Sequence, residues 1–108
     1  MKSNYKFGSV TQLLEQIEAD PVSVKFHSIF ETGNGGVVLL AFKKGQKLET
    51  HLAPAELMVN VLEGEVEFTM LDKTSNIKRG EFMLVGADVP HSVEALTDAK
   101  VMLVKIKP

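Results

Sequence analysis

Residues 45–64 read GQKLETHLAPAELMVNVLEG, a stretch in which apolar residues are bounded by turn-forming residues. Its last third, residues 57–62, and the following residues 65–71 flank the pair Glu63-Gly64, which is typical of a tight hairpin. In residues 65–71 apolar and polar side chains alternate, so one face of that strand is buried and the other is solvated. The stretch therefore predicts antiparallel strands.

The rest of the chain from Val22 onwards also consists of short segments with strand character. They are separated by glycines, prolines and clusters of polar residues. Roughly eight short strands at a spacing of about 8–12 residues, with no crossover helices, indicate an antiparallel sandwich or barrel. The fold class is therefore all-β, in one domain over residues 1–108. The further strands are predicted at residues 22–31, 37–42, 47–51, 75–78, 81–85, 91–96 and 101–107.

One segment near the N-terminus, residues 9–20, has helical periodicity. Asp20 precedes Pro21, and the residue before a proline is pushed out of the α region, so we expect the helix to end there. A helix of about two to three turns is not stable alone and must pack against the barrel. The apolar residues at helical spacing are Val10, Leu13, Leu14 and Ile17.

Composition excludes several classes of function. The chain has 12 Lys and Arg against 14 Asp and Glu, a net charge of −2, so no basic excess points to nucleic acid or to an anionic membrane. It has no cysteine, which excludes disulfides, thiolate nucleophiles and cysteine-bound metals. Residues 1–10 contain no apolar run, and no segment reaches the ~20 apolar residues of a membrane helix. We therefore expect no signal peptide and a cytoplasmic location.

A second stretch, residues 80–92, reads GEFMLVGADVPHS. Together with residues 45–64 it resembles the two motifs of the cupin family, G-x5-H-x-H-x3,4-E-x6-G and G-x5-P-x-G-x2-H. The resemblance covers about residues 37–107 and implies a double-stranded β-helix, or jelly-roll barrel, that forms a homodimer. The matching residues are Gly45, His51 and Gly64 in the first motif and Gly80 and His91 in the second.

The sequence departs from these motifs at positions that bind the metal in the family. In the family, two histidines and a carboxylate of the first motif join one histidine of the second around a divalent ion. Here Ala53 stands at the second histidine position and Leu57 at the carboxylate position, while Glu56 lies one residue early. That offset turns Glu56 to the opposite face unless a bulge or register shift restores it. The resemblance thus leaves His51 and His91 as metal ligands, enough for weak binding of Zn²⁺, Ni²⁺ or Fe²⁺.

We favour a polar pocket over a tight metal site, with His51 and His91 as hydrogen-bonding anchors for a small ligand. His27 shares its strand face with polar residues and is expected at the surface or an interface, although a kink would bring it to the pocket. Replacement of two ligands by apolar residues makes the wall apolar, and methionines on neighbouring strands adapt to such gaps. The other predicted pocket residues are Ala53, Leu57, Met70 and Met83.

Three functions remain open on the sequence alone. The first is a small-molecule-binding barrel. The second is a metal-dependent enzyme of the dioxygenase, isomerase or decarboxylase type, or a metal-free enzyme in which His91 pairs with Asp88 or Glu94 for acid–base catalysis. The third is a sensory or interaction domain without turnover, because fold does not determine function.

Overall fold

The computed structural model describes residues 3–108, and strands make up nearly all of its regular structure. Each sequence-predicted strand is present, with boundaries shifted by at most three residues. The strands are β1 (Lys25–Thr32), β2 (Gly35–Phe42), β3 (Lys47–His51), β4 (Glu56–Glu63), β5 (Glu65–Met70), β6 (Lys73–Lys78), β7 (Phe82–Val85), β8 (His91–Ala95) and β9 (Ala99–Ile106).

The strands form two antiparallel sheets that close around one core. The five-stranded sheet has the order β1-β2-β9-β4-β7, and the four-stranded sheet has the order β3-β8-β5-β6. β3 and β4 follow each other in sequence but belong to different sheets. β7 likewise lies in the five-stranded sheet while β6 before it and β8 after it lie in the four-stranded sheet, so the chain crosses repeatedly between the two layers. This arrangement confirms the predicted all-β jelly-roll barrel.

β2 is covered on both faces, which explains its uninterrupted apolar sequence. Leu40 and Phe42 face the barrel core, whereas Leu39 and Ala41 face outward. All four are at most 2% exposed. The outer pair is buried because Ile17, from the segment that precedes β1, packs over it.

The hairpin between β4 and β5 turns at Gly64, whose φ of +79° lies in the left-handed region. A Cβ atom at this position would lie 2.1 Å from the carbonyl oxygen of Asp98 and 2.9 Å from Cα of Ala99. Both the turn and the close approach of the segment before β9 therefore require glycine here.

The helix predicted over residues 9–20 is much shorter than expected. A single turn of 3₁₀ helix spans Leu13–Gln16, and the residues on either side are extended. Of the four apolar residues at helical spacing only Ile17 is buried, while Val10 is fully exposed, so an α-helix would gain too little packing to offset its nucleation cost. Within residues 3–108, no helix has the length and apolar character needed to cross a membrane.

Candidate functional site

His51 and His91 lie directly opposite each other at the ends of β3 and β8. Their imidazole centroids are 4.4 Å apart and the ring planes are inclined by 62°. Residues directly opposite in an antiparallel pair point to the same face of the sheet, and here that face is the barrel interior. The structure therefore brings together the two histidines that the spacing of the glycines predicted.

A β-bulge in β3 produces this arrangement. Leu48 pairs with Val93 and His51 pairs with His91, so three steps along β3 match only two along β8. In a regular ladder Thr50 would stand opposite His91, and His51 would point away from the interior that Leu48 faces. The extra residue re-aims His51 into the barrel, as bulges next to functional sites commonly do. The sequence shows the spacing but no signal for the bulge.

Each imidazole is held by a backbone carbonyl two residues earlier in the chain. The Nδ1 of His51 lies 2.8 Å from the carbonyl oxygen of Glu49, and the Nδ1 of His91 lies 2.9 Å from that of Val89. Because a carbonyl oxygen only accepts hydrogen bonds, both Nδ1 atoms carry the proton and donate. In the neutral rings Nε2 is then the acceptor, and among the described residues neither Nε2 has a hydrogen-bond partner.

The two histidines differ in burial. His91 is 5% exposed and stacks on Phe68 with the ring centroids 5.4 Å apart, whereas His51 is exposed at the cavity. Burial lowers the pKa of His91 below its usual value, an effect that the hydrogen bond to Val89 opposes and the proximity of His51 reinforces. His91 is therefore neutral at pH 7. Nε2 of His91 has no hydrogen-bond partner among the described residues, yet no fully buried side-chain nitrogen or oxygen of these residues lacks one. This Nε2 is therefore not fully buried and is accessible from the cavity.

The cavity at the mouth of the barrel has a volume of about 470 Å³. Its walls are apolar and include Phe26, Leu40, Leu48 and Leu103. Among residues 3–108, three polar residues line it, and none of these is acidic. These three residues are His51, His91 and Lys105.

The residues at the family's other ligand positions contribute apolar surface. Ala53 and Leu57 both line the cavity, and Leu57 is 5% exposed within the barrel core. Glu56 pairs with Ile106 on the opposite face of the five-stranded sheet and is exposed, as the one-residue offset predicted. No bulge lies between Glu56 and Leu57 to bring that carboxylate inward.

The donors present do not fit a transition-metal centre. Within residues 3–108, no group of three or more His, Cys, Asp or Glu side chains is placed to hold a metal ion. Catalytic zinc sites normally use three protein ligands, and the cavity offers the two imidazoles alone. The pairing of His91 with Asp88 or Glu94 also finds no support, because the ring bonds to a backbone carbonyl and neither carboxylate lines the cavity.

Asp88 preserves the backbone geometry of the second motif region. Asp88, at the position where the motif has glycine, has a φ of +62°, which Asp tolerates better than most residues. Its amide donates a hydrogen bond of 2.8 Å to the carbonyl oxygen of Ala53. This bond ties the loop before His91 to the loop after His51 and so fixes one side of the cavity mouth.

The other predicted site residues lie outside the cavity lining. Met70 is the cross-strand partner of His91 and Met83 is that of Val59; both are half-buried against the core. Their contribution to ligand binding stays a prediction. His27 faces away from the barrel, where its Nε2 bonds to the hydroxyl of Tyr5 and the two rings stand edge to face, 5.8 Å apart.

Lys105 is a charged cavity residue that the sequence interpretation missed. It follows Val101 and Leu103 at intervals of two on β9, and the same face of this strand turns toward the barrel interior. Its partners across the sheet are Leu57 on β4 and Gly36 on β2. The period-two pattern of β9 was available in the sequence and places a lysine at the outer end of an interior-facing row.

Comparison with known proteins gives a consistent result. The family model described as "Cupin domain" matches residues 38–107. No curated protein matches the chain.

Solved structures of similar shape cover nearly the whole chain. An RmlC-like cupin protein from Desulfovibrio desulfuricans is 33% identical, with a TM-score of 0.81 over 91% of this chain and 95% of that one. A conserved protein of unknown function from Streptococcus pyogenes is 24% identical, with a TM-score of 0.89 over 100% of this chain and 96% of that one. A cupin superfamily protein from Desulfitobacterium hafniense is 17% identical, with a TM-score of 0.89 over 98% of this chain and 97% of that one.

Proposed function

The chain belongs to the cupin domain family, and on that premise we propose that it is a small-molecule-binding barrel whose ligand is anchored by His51 and His91. One observation carries the proposal. Two imidazoles, 4.4 Å apart, present accessible nitrogens to a cavity whose other lining is almost entirely apolar. A few convergent polar groups in a largely apolar pocket are typical of ligand sites, and the volume of about 470 Å³ lies in their usual range.

The arrangement of the imidazoles supports binding in a defined orientation. The carbonyls of Glu49 and Val89 fix both ring orientations before any ligand arrives. The ligand therefore meets two preorganised acceptors, and little side-chain entropy is lost on binding. An apolar ligand body would displace water from Leu40, Leu48 and Leu103, which supplies most of the free energy of binding.

A fragment screen observed through the imidazole ¹⁵N and ¹H signals tests this proposal. Fragments that bind in the cavity should shift the Nε2 signals of His51 and His91, and a His51→Phe substitution should weaken their binding. His27 serves as the internal control, because its ring faces the other side of β1 and should not respond. The proposal is wrong if fragments bind without perturbing either cavity histidine, or shift all three histidines equally.

For metals, we propose that Zn²⁺, Ni²⁺ and Fe²⁺ bind weakly. The support is the donor set, in which two imidazoles stand where the family uses four side chains. Calorimetric titration of untagged protein tests this. Stoichiometric, tight binding that His51→Ala or His91→Ala abolishes would overturn the proposal and favour the metal-dependent enzyme.

We further propose that the protein forms a homodimer through the outer face of its five-stranded sheet. Leu84 and Phe82 on β7 are 67% and 58% exposed, and Ile106 on β9 is 58% exposed. Met58 lies between β7 and β9, opposite both Leu84 and Val104, so these side chains form one continuous apolar stripe. A second copy related by a twofold axis would place the same stripe against itself, as an isologous interface requires.

A cytoplasmic location completes the proposal. The chain has no cysteine, so its stability does not depend on an oxidising compartment. Fractionation of cells that produce the untagged protein tests this point. Recovery of the protein from the culture medium or an extracytoplasmic fraction would overturn it.

A further inference from the structure

The proton arrangement at the histidine end of the cavity restricts what can bind there. Both Nδ1 protons are already donated to the carbonyls of Glu49 and Val89. When both rings are neutral, the two Nε2 atoms therefore accept hydrogen bonds but do not donate them. A carboxylate at this end would meet lone pairs only, whereas a group that carries a proton would be bound.

The cavity lining also disfavours a cation at the same end. No Asp or Glu side chain in the described part of the chain lines the cavity, so an ammonium group would be desolvated without a counter-charge. Leu40, Leu48 and Leu57 surround the imidazoles and lower the local polarity. The group that fits is therefore a neutral hydrogen-bond donor, of which a hydroxyl is the simplest.

Lys105 supplies a charge on the opposite sheet. It lies two residues beyond Leu103 on the interior-facing row of β9, whereas the histidines belong to the four-stranded sheet. Its ammonium group makes no salt bridge with any described residue. The nearest acidic residue in register is Glu31, which is separated from Lys105 by Gly36 of β2 and lines an adjoining cleft of about 310 Å³. Lys105 is thus available to an anionic group that leaves the cavity toward that cleft.

We infer that the ligand is an amphipathic hydroxy acid, with a hydroxyl that lies beside His91 and donates its single proton to Nε2 of His51, an apolar body against the cavity wall and a carboxylate at Lys105. This inference rests on the proposed binding function and specifies which end of the ligand lies at the histidines and which lies at Lys105. Phe26 and Leu103 contribute apolar surface between the two polar ends. An aromatic or short aliphatic body fits such a wall better than a sugar, because its many hydroxyls would lack partners there.

Four matched probes test the inference by NMR titration. They are 3-(4-hydroxyphenyl)propionate, 3-phenylpropionate without the hydroxyl, methyl 3-(4-hydroxyphenyl)propionate without the charged carboxylate, and methyl 3-phenylpropionate without either. We choose about pH 8, at which an ordinary imidazole is neutral and the propionates are ionised. The first probe should bind tightest. Loss of the hydroxyl, or of the carboxylate, should each weaken binding about fivefold, the effect of roughly 1 kcal/mol.

Two lysine variants separate the effect of the charge on Lys105 from the effect of the protein's net charge. Lys105→Met should remove the preference for the propionate over its methyl ester and leave the preference for the phenol intact. Lys78→Met changes net charge equally on β6 of the other sheet and should alter neither preference. His51→Phe should remove the preference for the phenol and leave that for the propionate.

The outcomes distinguish this inference from the function on which it rests. Equal affinities for all four probes, or equal effects of Lys105→Met and Lys78→Met, overturn the hydroxy-acid inference while the histidine shifts still support ligand binding. Tight binding of the four probes without any shift at His51 or His91 would contradict the binding site itself. Failure of all four probes to bind, with fragments of other chemistry shifting both histidines, overturns the inference alone.

Discussion

The imidazole of His91 lies 4.4 Å from that of His51, yet His91 is 5% exposed while His51 is exposed at the cavity. The two rings have the same type of carbonyl partner, so burial is the main difference between them. Burial against Phe68 makes the charged form of His91 costly, and a charge on either ring would repel a charge on the other.

This asymmetry predicts acid sensitivity of the fold. The pKa of His91 is lowered in the folded state relative to about 6.5 in the unfolded chain. Its contribution to the free energy of unfolding is therefore complete above about pH 6.5 and is lost as the pH falls through the lower, folded-state pKa. Urea unfolding between about pH 7 and pH 5 should show a shallower pH dependence in His91→Gln than in the parent protein. The same dependence in both proteins, with His27→Gln as the control, would refute the assignment.

The missing metal ligands predict a gain of function. Ala53→His together with Leu57→Glu restores the family's donor set and should tighten Zn²⁺ or Ni²⁺ binding by at least about tenfold, or 1.4 kcal/mol. Leu57 is 5% exposed, so without metal the buried carboxylate should cost roughly 3 kcal/mol of stability. Calorimetric titration and thermal unfolding with and without metal measure both effects.

Glu56 provides the matched control for that variant. Because its side chain faces the outside of the barrel, Glu56→Gln in the same background should leave metal affinity unchanged. A loss of affinity in this control would mean that Glu56 and not Glu at position 57 reaches the ion.

Gly64 predicts a large steric effect from a single methyl group. Gly64→Ala places Cβ 2.1 Å from the carbonyl oxygen of Asp98 in addition to the left-handed φ of +79°, so destabilisation of about 4 kcal/mol or more is expected. Gly80 has a φ of +87° with nothing within 4 Å of an added Cβ, so Gly80→Ala should cost only about 1–2 kcal/mol. Chemical denaturation compares the two. Equal losses would show that backbone strain alone matters at Gly64.

The apolar stripe on the outer face of the five-stranded sheet predicts a change of oligomeric state. Leu84→Lys introduces a charge at a residue that is 67% exposed in the single chain and central to the proposed interface. The variant should sediment as a monomer in analytical ultracentrifugation, and its cavity should remain intact. Leu71→Lys, in the turn after β5 and 71% exposed, should leave the dimer unchanged. A parent protein that already sediments as a monomer would disprove the interface.

The strands were predictable from sequence because each carries a local signal. Gly64 punctuates the central hairpin, and β4 alternates Leu57, Val59 and Val61 toward the core with more exposed residues between them. β2 does not alternate, but its unbroken apolar run is typical of a strand covered on both faces, which is the arrangement observed.

The parts that the sequence did not predict depend on tertiary contacts. The helical pattern of residues 9–20 is genuine, but only Ile17 finds apolar partners, so most of the segment stays extended. The bulge before His51 is set by pairing with β8, which local residue preferences do not record. The period-two pattern of β9 puts Lys105 on the interior-facing row, but only the pairing of β9 with β2 and β4 shows that the end of this row lies at the cavity.

The position of β9 has a consequence for synthesis on the ribosome. β9 lies at the centre of the five-stranded sheet, between β2 and β4, although it is the ninth strand along the described chain. Translation therefore completes both neighbours before the strand that joins them exists, and neither can be held in the final sheet until residues 99–106 emerge. During that interval the nascent chain exposes two apolar sheet edges, which are prone to pair with other chains. We expect chaperones that hold unfinished chains to contact β2 and β4 until β9 is released.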